Sequence, residues 1–251
     1  NFEVGFGFIG LNEEGRKIWQ WVGLGKGAHH LAATKDRTYF ITGRDGKLLD
    51  EHGVEIVAGG VEVGRFALRY DEGGLHLLAM IIDPSPWRNS GMDLPVVFRS
   101  GDTLSLFMSE DRAFGQNEVD GVRLTFAPSP TGQVVMQYRP RSKSKEASHK
   151  FASPVREVTF DQVRRVDVEN LNLHADPQRL YIGATIPWDL LGGMPEPGEV
   201  RRGDIGITFS DDAGIVTQRR VQWVDTQTNV TDDEPTEAEF FPACWGRFVF
   251  E

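Results

Sequence analysis

The chain carries one cysteine in 251 residues. No disulfide can form within it, and Cys-rich zinc sites are excluded. Basic residues are also few: 27 Lys and Arg stand against 37 Asp and Glu, a formal net charge of −10. That balance argues against nucleic acid or an anionic membrane as the main partner, since both require a basic footprint. No window approaches the roughly 18 consecutive apolar residues of a spanning helix, so no membrane insertion is expected. Helical periodicity is scarce as well. The best piece, Trp188-Asp189-Leu190-Leu191, is one turn, halted by Gly192-Gly193. The chain has no G-x-S-x-G, no P-loop, no H-x-H or H-E-x-x-H spacing and no Cys–His nucleophile pattern, so no enzyme is expected. It also lacks a starting methionine. Asn1 opens inside what reads as a strand, and the chain is expected to be part of a longer polypeptide or to have lost a leader.

What is present is a period of two. Residues 61–70 (VEVGRFALRY), the turn DEGG and residues 75–82 (LHLLAMII) read as strand, turn and buried strand. The same signal returns at 103–108, 122–126, 134–138, 155–160, 163–168, 179–186, 204–209, 216–224 and 246–250. Twenty-eight Gly and 13 Pro punctuate it, in PSPTGQ, HADPQ, PEPGEVRRGD and DDAG. Many short strands with few helices predict an all-β, antiparallel β-sandwich, jelly-roll-like. Two long stretches interrupt the pattern. Residues 139–154 are basic and Ser-rich and are expected to be a solvated excursion. Residues 225–243 are acidic and are expected to line a ligand site or hold a cation.

Residues 1–50 differ in texture. GFIGLNEEGRKIWQWVG and HHLAATKDRTYFITGRDGKLLDEHG each read as a hairpin with a polar Gly-containing turn. The expected division is a β-hairpin extension over 1–50, resembling a β-propeller blade, and a sandwich over 51–251. Gly5 to Gly10 match G-x-G-x-x-G, but a hairpin follows where dinucleotide binding requires a helix. His29 and His30 are adjacent and would point to opposite faces of a strand. Asp211-Asp212, Asp232-Asp233 and Glu118/Asp120 fall at turns, where Asp commonly bonds local backbone. Cys244 reads as a small buried apolar residue. Asn229-Val230-Thr231 is a sequon. Of the six Trp, Trp188 and Trp245 read as core. Trp87, in DPSPWRNSG, reads as exposed, and Trp223 as either. Exposed rings suit the apolar faces of sugars.

From about residue 54 onward the order of segments resembles the family 9 carbohydrate-binding modules, within the wider DOMON-like sandwich group. RFALRYDEGGLHLLAMIIDPSP, GDTLSLFMS, IGATIPWDLLG, GDIGITFSDDAG, QWVD and CWGRFVF carry the resemblance in order and spacing. It implies a non-catalytic glycan-binding module, extracellular or at the cell surface, appended to further domains of the same polypeptide and commonly holding structural calcium. Such modules grip a sugar between two aromatic rings with help from charged and amide side chains. Here the ring near the first clamp position is Phe98, Ser105 replaces the acidic residue of the next strand, and Arg123 keeps a basic one. Phe240 and Phe241 are the rings nearest the second clamp position. The expected carbohydrate site is therefore Trp87, Phe98, Arg123 and Trp223, with a poly- or oligosaccharide as ligand. Calcium ligands cannot be named from the sequence, although turn oxygens abound. Two other functions compete. One is a structural or docking domain of an extracellular assembly. The other is a b-type haem domain, for which Met80, Met92, Met108 and Met136 are the methionine candidates.

Overall fold

The computed structural model describes residues 6–11, 17–23, 29–32, 53–91, 93–110, 121–225 and 233–250. In chain order the strands are β1 (Phe6–Leu11), β2 (Lys17–Gly23), β3 (His29–Ala32), β4 (Val54–Ala58), β5 (Val61–Asp71), β6 (Gly74–Ile82), β7 (Thr103–Glu110), β8 (Val122–Ser129) and β9 (Gly132–Arg139). They continue as β10 (His149–Ala152), β11 (Glu157–Phe160), β12 (Gln162–Val166), β13 (Glu169–Ala175), β14 (Arg179–Ile186), β15 (Val200–Ser210), β16 (Thr217–Gln222) and β17 (Gly246–Phe250). Among the described residues a short α-helix, α1, spans Glu234–Ala238. The chain is all-β, of the antiparallel β-sandwich class. It divides into two discontinuous compact units, one of residues 1–82, 168–199 and 249–251, the other of 83–167 and 200–248.

In the first unit the strands run β3-β5-β6-β14-β13, with β4 also paired to β5. Register explains why β5 and β6 are apolar almost throughout. Tyr70, Leu75 and Ile186 share a row, as do Leu68, Leu77 and Ala184, and Phe66, Ala79 and Ile182. All nine are buried. The other face mixes Ala67 and Met80 with a polar row of Arg69, His76 and Thr185. Members of that row pair with one another and with Asp71. Asp71 Oδ2 lies 2.9 Å from His76 Nε2, and His76 Nδ1 lies 3.1 Å from Thr185 Oγ1. Burial alone would push Asp71 up, but His76, the Gly73 amide and Arg69 outweigh it and hold its carboxyl below the ordinary value. The Trp188 turn (Trp188–Leu191) ends at Gly192 with φ 92°, a left-handed position that glycine suits. Trp188 donates its indole N–H to the Asp71 carbonyl at 2.7 Å and meets Tyr70 and Phe250 edge-on.

In the second unit the strands run β12-β9-β8-β7-β15, with β16 also paired to β15. Alternation gives this sheet two faces. Leu104, Leu106, Leu124, Phe126, Ile205 and Ile207 share one. Phe107, Arg123 and Tyr138 form a row on the other, beside a row of Gln222, Gly206, Ser105, Thr125 and Met136. Over this second face pack a 3-10 helix (Leu94–Arg99), the β10–β11 hairpin and α1. Phe98, Phe107, Tyr138, Phe151, Phe160, Phe240 and Trp245 close into one aromatic core there. Their rings meet mostly edge to face, with Phe98 and Tyr138 at 5.5 Å and Phe160 and Phe240 at 5.3 Å.

Several expectations need correction or fall outside view. Residues 139–154 are not only a solvated excursion, because they contain β10, whose Phe151 is fully buried. The acidic stretch contains α1, whose N-cap Asp233 accepts from the Thr236 amide at 3.2 Å. Cys244 is half-buried in a turn (Pro242–Cys244) rather than buried, and desolvation pushes its thiol up. The first N-terminal hairpin is present as β1 and β2, with Gly10 opposite Trp19. Most of the second hairpin, the boundary at residue 50, Met92, Glu118, Asp120, Asn229 and Asp232 lie outside the described residues.

Candidate functional site

A small open cleft, with a cavity volume of about 30 Å³, lies on the second face of the second unit; it is a shallow surface depression, well short of the roughly 300–1,000 Å³ of an enclosed small-ligand pocket. Strands supply its floor. Phe107 comes from β7, Arg123 from β8, and Arg220 and Gln222 from β16. Arg220 and Gln222 are two residues apart on one strand and so face the same way. The acidic stretch supplies the wall through Asp225, Glu237, Glu239 and Phe241, with Trp245 behind it. Phe241 is 43% exposed, a ring with a face open to solvent, whereas Trp245 and Phe107 are buried.

Arg123 is 5% exposed, so its cation is held inside the protein. Three rings box it: its guanidinium carbon lies 4.5 Å from the Phe98 centroid, 5.0 Å from Phe107 and 5.7 Å from Tyr138. Its Nε donates to Ser105 Oγ at 3.2 Å and its Nη1 to the Glu237 carbonyl at 3.4 Å. Burial, with Arg220 close by, pulls its pKa down to about 9, which leaves it a cation at neutral pH.

The Glu237 carboxylate, 7% exposed, accepts from Arg99 Nε at 3.2 Å and from Arg220 Nη2. Arg99 also holds Glu234 at 3.1 Å, and Arg156 pairs with Glu239. Arg220 Nη2 further donates to the Phe98 carbonyl at 3.3 Å. Two buried polar atoms of the lining residues have no hydrogen-bond partner among the described residues: Arg220 Nε, a donor, and Gln222 Oε1, an acceptor. Orphaned buried groups cost about 1–3 kcal/mol each, so a pair of them at one opening points to something that binds there. Below this pair, Asp204 is fully buried and accepts from the amides of Ile205, Val224 and Asp225. Desolvation still pushes its carboxyl up to about 6 against those amides, with Asp225 adding to the rise.

Of the four expected carbohydrate-binding residues, only Arg123 lines the cleft. Phe98 is 0% exposed and supports Arg123 from beneath, with no face free for a ligand. Trp223 is half-buried just past the end of β16, stacked on Phe248 at 5.9 Å, and is not part of the cleft lining. Trp87 is half-buried in a loop whose Arg88 amide bonds Asp102 at 2.8 Å, and its indole N–H has no partner among the described residues. Sequence reasoning missed Arg220, Gln222 and Glu237. The available signal was the i, i+2 pair of long polar side chains in VTQRRVQWV, beside an acidic stretch already singled out for a ligand.

Among the described residues no three His, Cys, Asp or Glu side chains converge to hold a metal ion. The most enclosed turn carboxylates are already occupied. Asp102 accepts from the Arg88 and Ser210 amides, and Asp83 from Ser85. These donors do not make a calcium site, and nothing below is built on one. The cleft lining contains no Met or His, and Met80, Met108 and Met136 are core residues. No helix of the described residues is long and apolar enough to cross a membrane.

No family model matches the chain, and no curated protein matches it. Among solved structures it is similar to a family 9 carbohydrate-binding module from Caldicellulosiruptor kristjanssonii in complex with cellotriose, at 14% identity and TM-score 0.43, over 73% of this chain and 72% of that one. It is also similar to such a module from the same organism in complex with glucose, at 13% identity and TM-score 0.44, over 84% and 90%.

Proposed function

We propose that this chain is a non-catalytic glycan-binding domain of a larger extracellular or cell-surface protein, and that the cleft of Arg123, Arg220, Gln222 and Phe241 is its sugar site. The observation that carries this reading is the orphaned pair at the opening, Arg220 Nε and Gln222 Oε1. A hydroxyl both donates and accepts, so neighbouring sugar hydroxyls would satisfy both atoms at once. The exposed Phe241 ring beside them offers an apolar face for a sugar ring. The segment order shared with family 9 modules supports the same function. Two of the three carboxylates of the lining, Glu237 and Glu239, are held by arginines, which supports a binding role for the cleft.

The test is titration calorimetry of the folded protein against a panel of soluble plant, algal and bacterial oligosaccharides, repeated with Gln222→Ala and Phe241→Ala. Binding that both substitutions weaken at least tenfold supports the reading. A folded protein that binds no member of the panel refutes it and favours a docking domain. Absorbance near the haem Soret band would instead favour the haem-binding alternative.

A further inference from the structure

We infer that a basic strip along the outermost strand of the second unit is a further contact surface, and that it holds an acidic polysaccharide, one bearing carboxylate or sulfate groups. Its residues are Arg141, Lys143, Arg164 and Arg165, none of which lines the cleft. The strip works by charge alone, whether or not the cleft takes a sugar.

The chain's net charge is −10, yet residues 139–165 hold eight Lys and Arg against three Asp and Glu. Three of these cations are paired: Lys145 with Asp161 at 3.7 Å, Lys150 with Glu157, and Arg156 with Glu239. Arg139 is half-buried with contacts of its own. Arg141, Lys143, Arg164 and Arg165 are exposed and form no ion pair among the described residues. Within residues 139–167 the acids without an ion pair are Glu146 and Asp167, both exposed. Four free cations thus face two free acids. The main chain fixes where they stand. The Asp161 amide donates to the Pro140 carbonyl at 3.3 Å, the Ser142 amide to Asp161 Oδ2 at 3.0 Å and the Val163 amide to the Ala147 carbonyl at 2.8 Å. The loop that carries Arg141 and Lys143 is thereby pinned to the start of β12. That strand ends its sheet, with β9 as its neighbour on one side. Arg164 and Arg165 are successive on it and point to opposite faces, so a cation flanks each side of the free edge. From Asp161 to Arg165 the strip runs about 13 Å, at about 3.3 Å per residue, the length of a short oligosaccharide. Charge on an edge strand also discourages strand pairing, but Arg141 and Lys143 stand off the strand and are not needed for that. Like charges held on a fixed backbone repel, and a polyanion laid along the edge relieves the repulsion while both sides release counter-ions. A polysaccharide suits the strip better than nucleic acid. Phe151 and Phe160 are buried and His149 packs on Phe151, so residues 139–165 offer bases no exposed ring to stack on. The charge of the whole chain repels the dense charge of a duplex, whereas single charges spaced along a sugar chain can be met one at a time.

The test is titration of the folded protein at low salt with dextran sulfate and with polygalacturonate, beside neutral dextran, carboxyl-reduced polygalacturonate and a short DNA duplex. At least one acidic polysaccharide should bind, with affinity falling steeply as salt rises, and the tighter of the two identifies the anion. Arg141→Gln, Lys143→Gln, Arg164→Gln and Arg165→Gln together should weaken that binding at least about tenfold and flatten its salt dependence. The melting temperature should hold, because all four side chains are exposed. Glu146→Gln, a single exposed change, should tighten binding about twofold, and it decides alone if the four-site variant fails to fold. A four-site variant that binds the acidic polymer as the parent does overturns the inference, and so does a parent that binds neither acidic polymer. DNA bound as tightly as the polysaccharides overturns the choice of partner. Affinity for neutral oligosaccharides reports on the cleft alone, so its loss or absence leaves the strip standing.

Discussion

Glu237 is the joint of the candidate site, and Glu237→Gln tests whether its charge matters. The side chain is nearly the same size and keeps one acceptor oxygen, so the packing of α1, which carries it, should survive. What changes is the count: three guanidinium groups would face Glu234 alone. Stranding one partner of a buried pair costs about 3–5 kcal/mol. Arg99 keeps Glu234 and is about a quarter exposed, so the low end, about 3 kcal/mol, is expected. For a chain of this size that lowers the melting temperature by roughly 6–12 °C, at about 2–4 °C per kcal/mol. Adding Arg220→Gln removes the stranded cation. The double variant should then lose less than the two single losses summed, with a coupling of about 1.5 kcal/mol or more. Differential scanning calorimetry of the four proteins reads both numbers. A Glu237→Gln melting point within about 2 °C of the parent, or a strictly additive double variant, would refute the charge argument.

Other outcomes follow from single observations. A Cβ at Gly203 would lie 2.0 Å from Phe248 Cε2, in a ring with no exposure. Gly203→Ala should therefore cost about 1–3 kcal/mol by overpacking; denaturant melts that superimpose on the parent would contradict it. Asp204, with its carboxyl raised to about 6 by burial, opposes folding when ionised. Its penalty is present above pH 6 and relieved as pH falls from about 6 to 4, worth about 3 kcal/mol. A carboxyl-carbon NMR titration should place its midpoint near 6, and a midpoint near 4 would show that the three amides dominate. Trp188→Phe keeps the ring contacts but leaves the Asp71 carbonyl without its 2.7 Å donor. It should cost about 1–2 kcal/mol in chemical denaturation, and a neutral result would mean water replaces the indole.

The sheets were legible in the sequence because burial on a strand leaves a period of two. β5, β6, β7, β8, β9, β14 and β15 all stand where that period is clean. β10 escaped because only Phe151 of its four residues is buried. β13 escaped because it is mostly exposed, with Leu171 and Leu173 only half-buried. The Trp188 turn was legible from the two glycines after it. The site was less so. Arg123 could be named through family resemblance, but its box of Phe98, Phe107 and Tyr138 depends on the register of β7, β8 and β9. Arg220 and Gln222 read as the wet side of an amphipathic strand. They face a cleft only because residues 233–245 fold back over that side, and no local pattern encodes that return. Trp223, which the sequence left open between core and exposed, stands just past the end of β16 and stacks on Phe248.

Ser105 gives the last prediction, because it is the side-chain acceptor for a buried arginine. Its Oγ accepts from Arg123 Nε at 3.2 Å and lies 3.0 Å from Thr125 Oγ1, wholly inside the protein. The hydroxyl is the acceptor that satisfies this buried N–H. Ser105→Ala keeps the volume close but leaves Arg123 Nε without its acceptor inside the protein. A hydrogen bond to a charged group is worth about 1.5–3 kcal/mol, so Ser105→Ala should lower stability by about that much in chemical denaturation. Ser105→Thr keeps the hydroxyl and should recover most of the loss, apart from the cost of one extra methyl in a tight place. If Ser105→Ala unfolds at the same denaturant concentration as the parent, the Arg123 guanidinium does not depend on this acceptor, and the aromatic rings around it carry its burial.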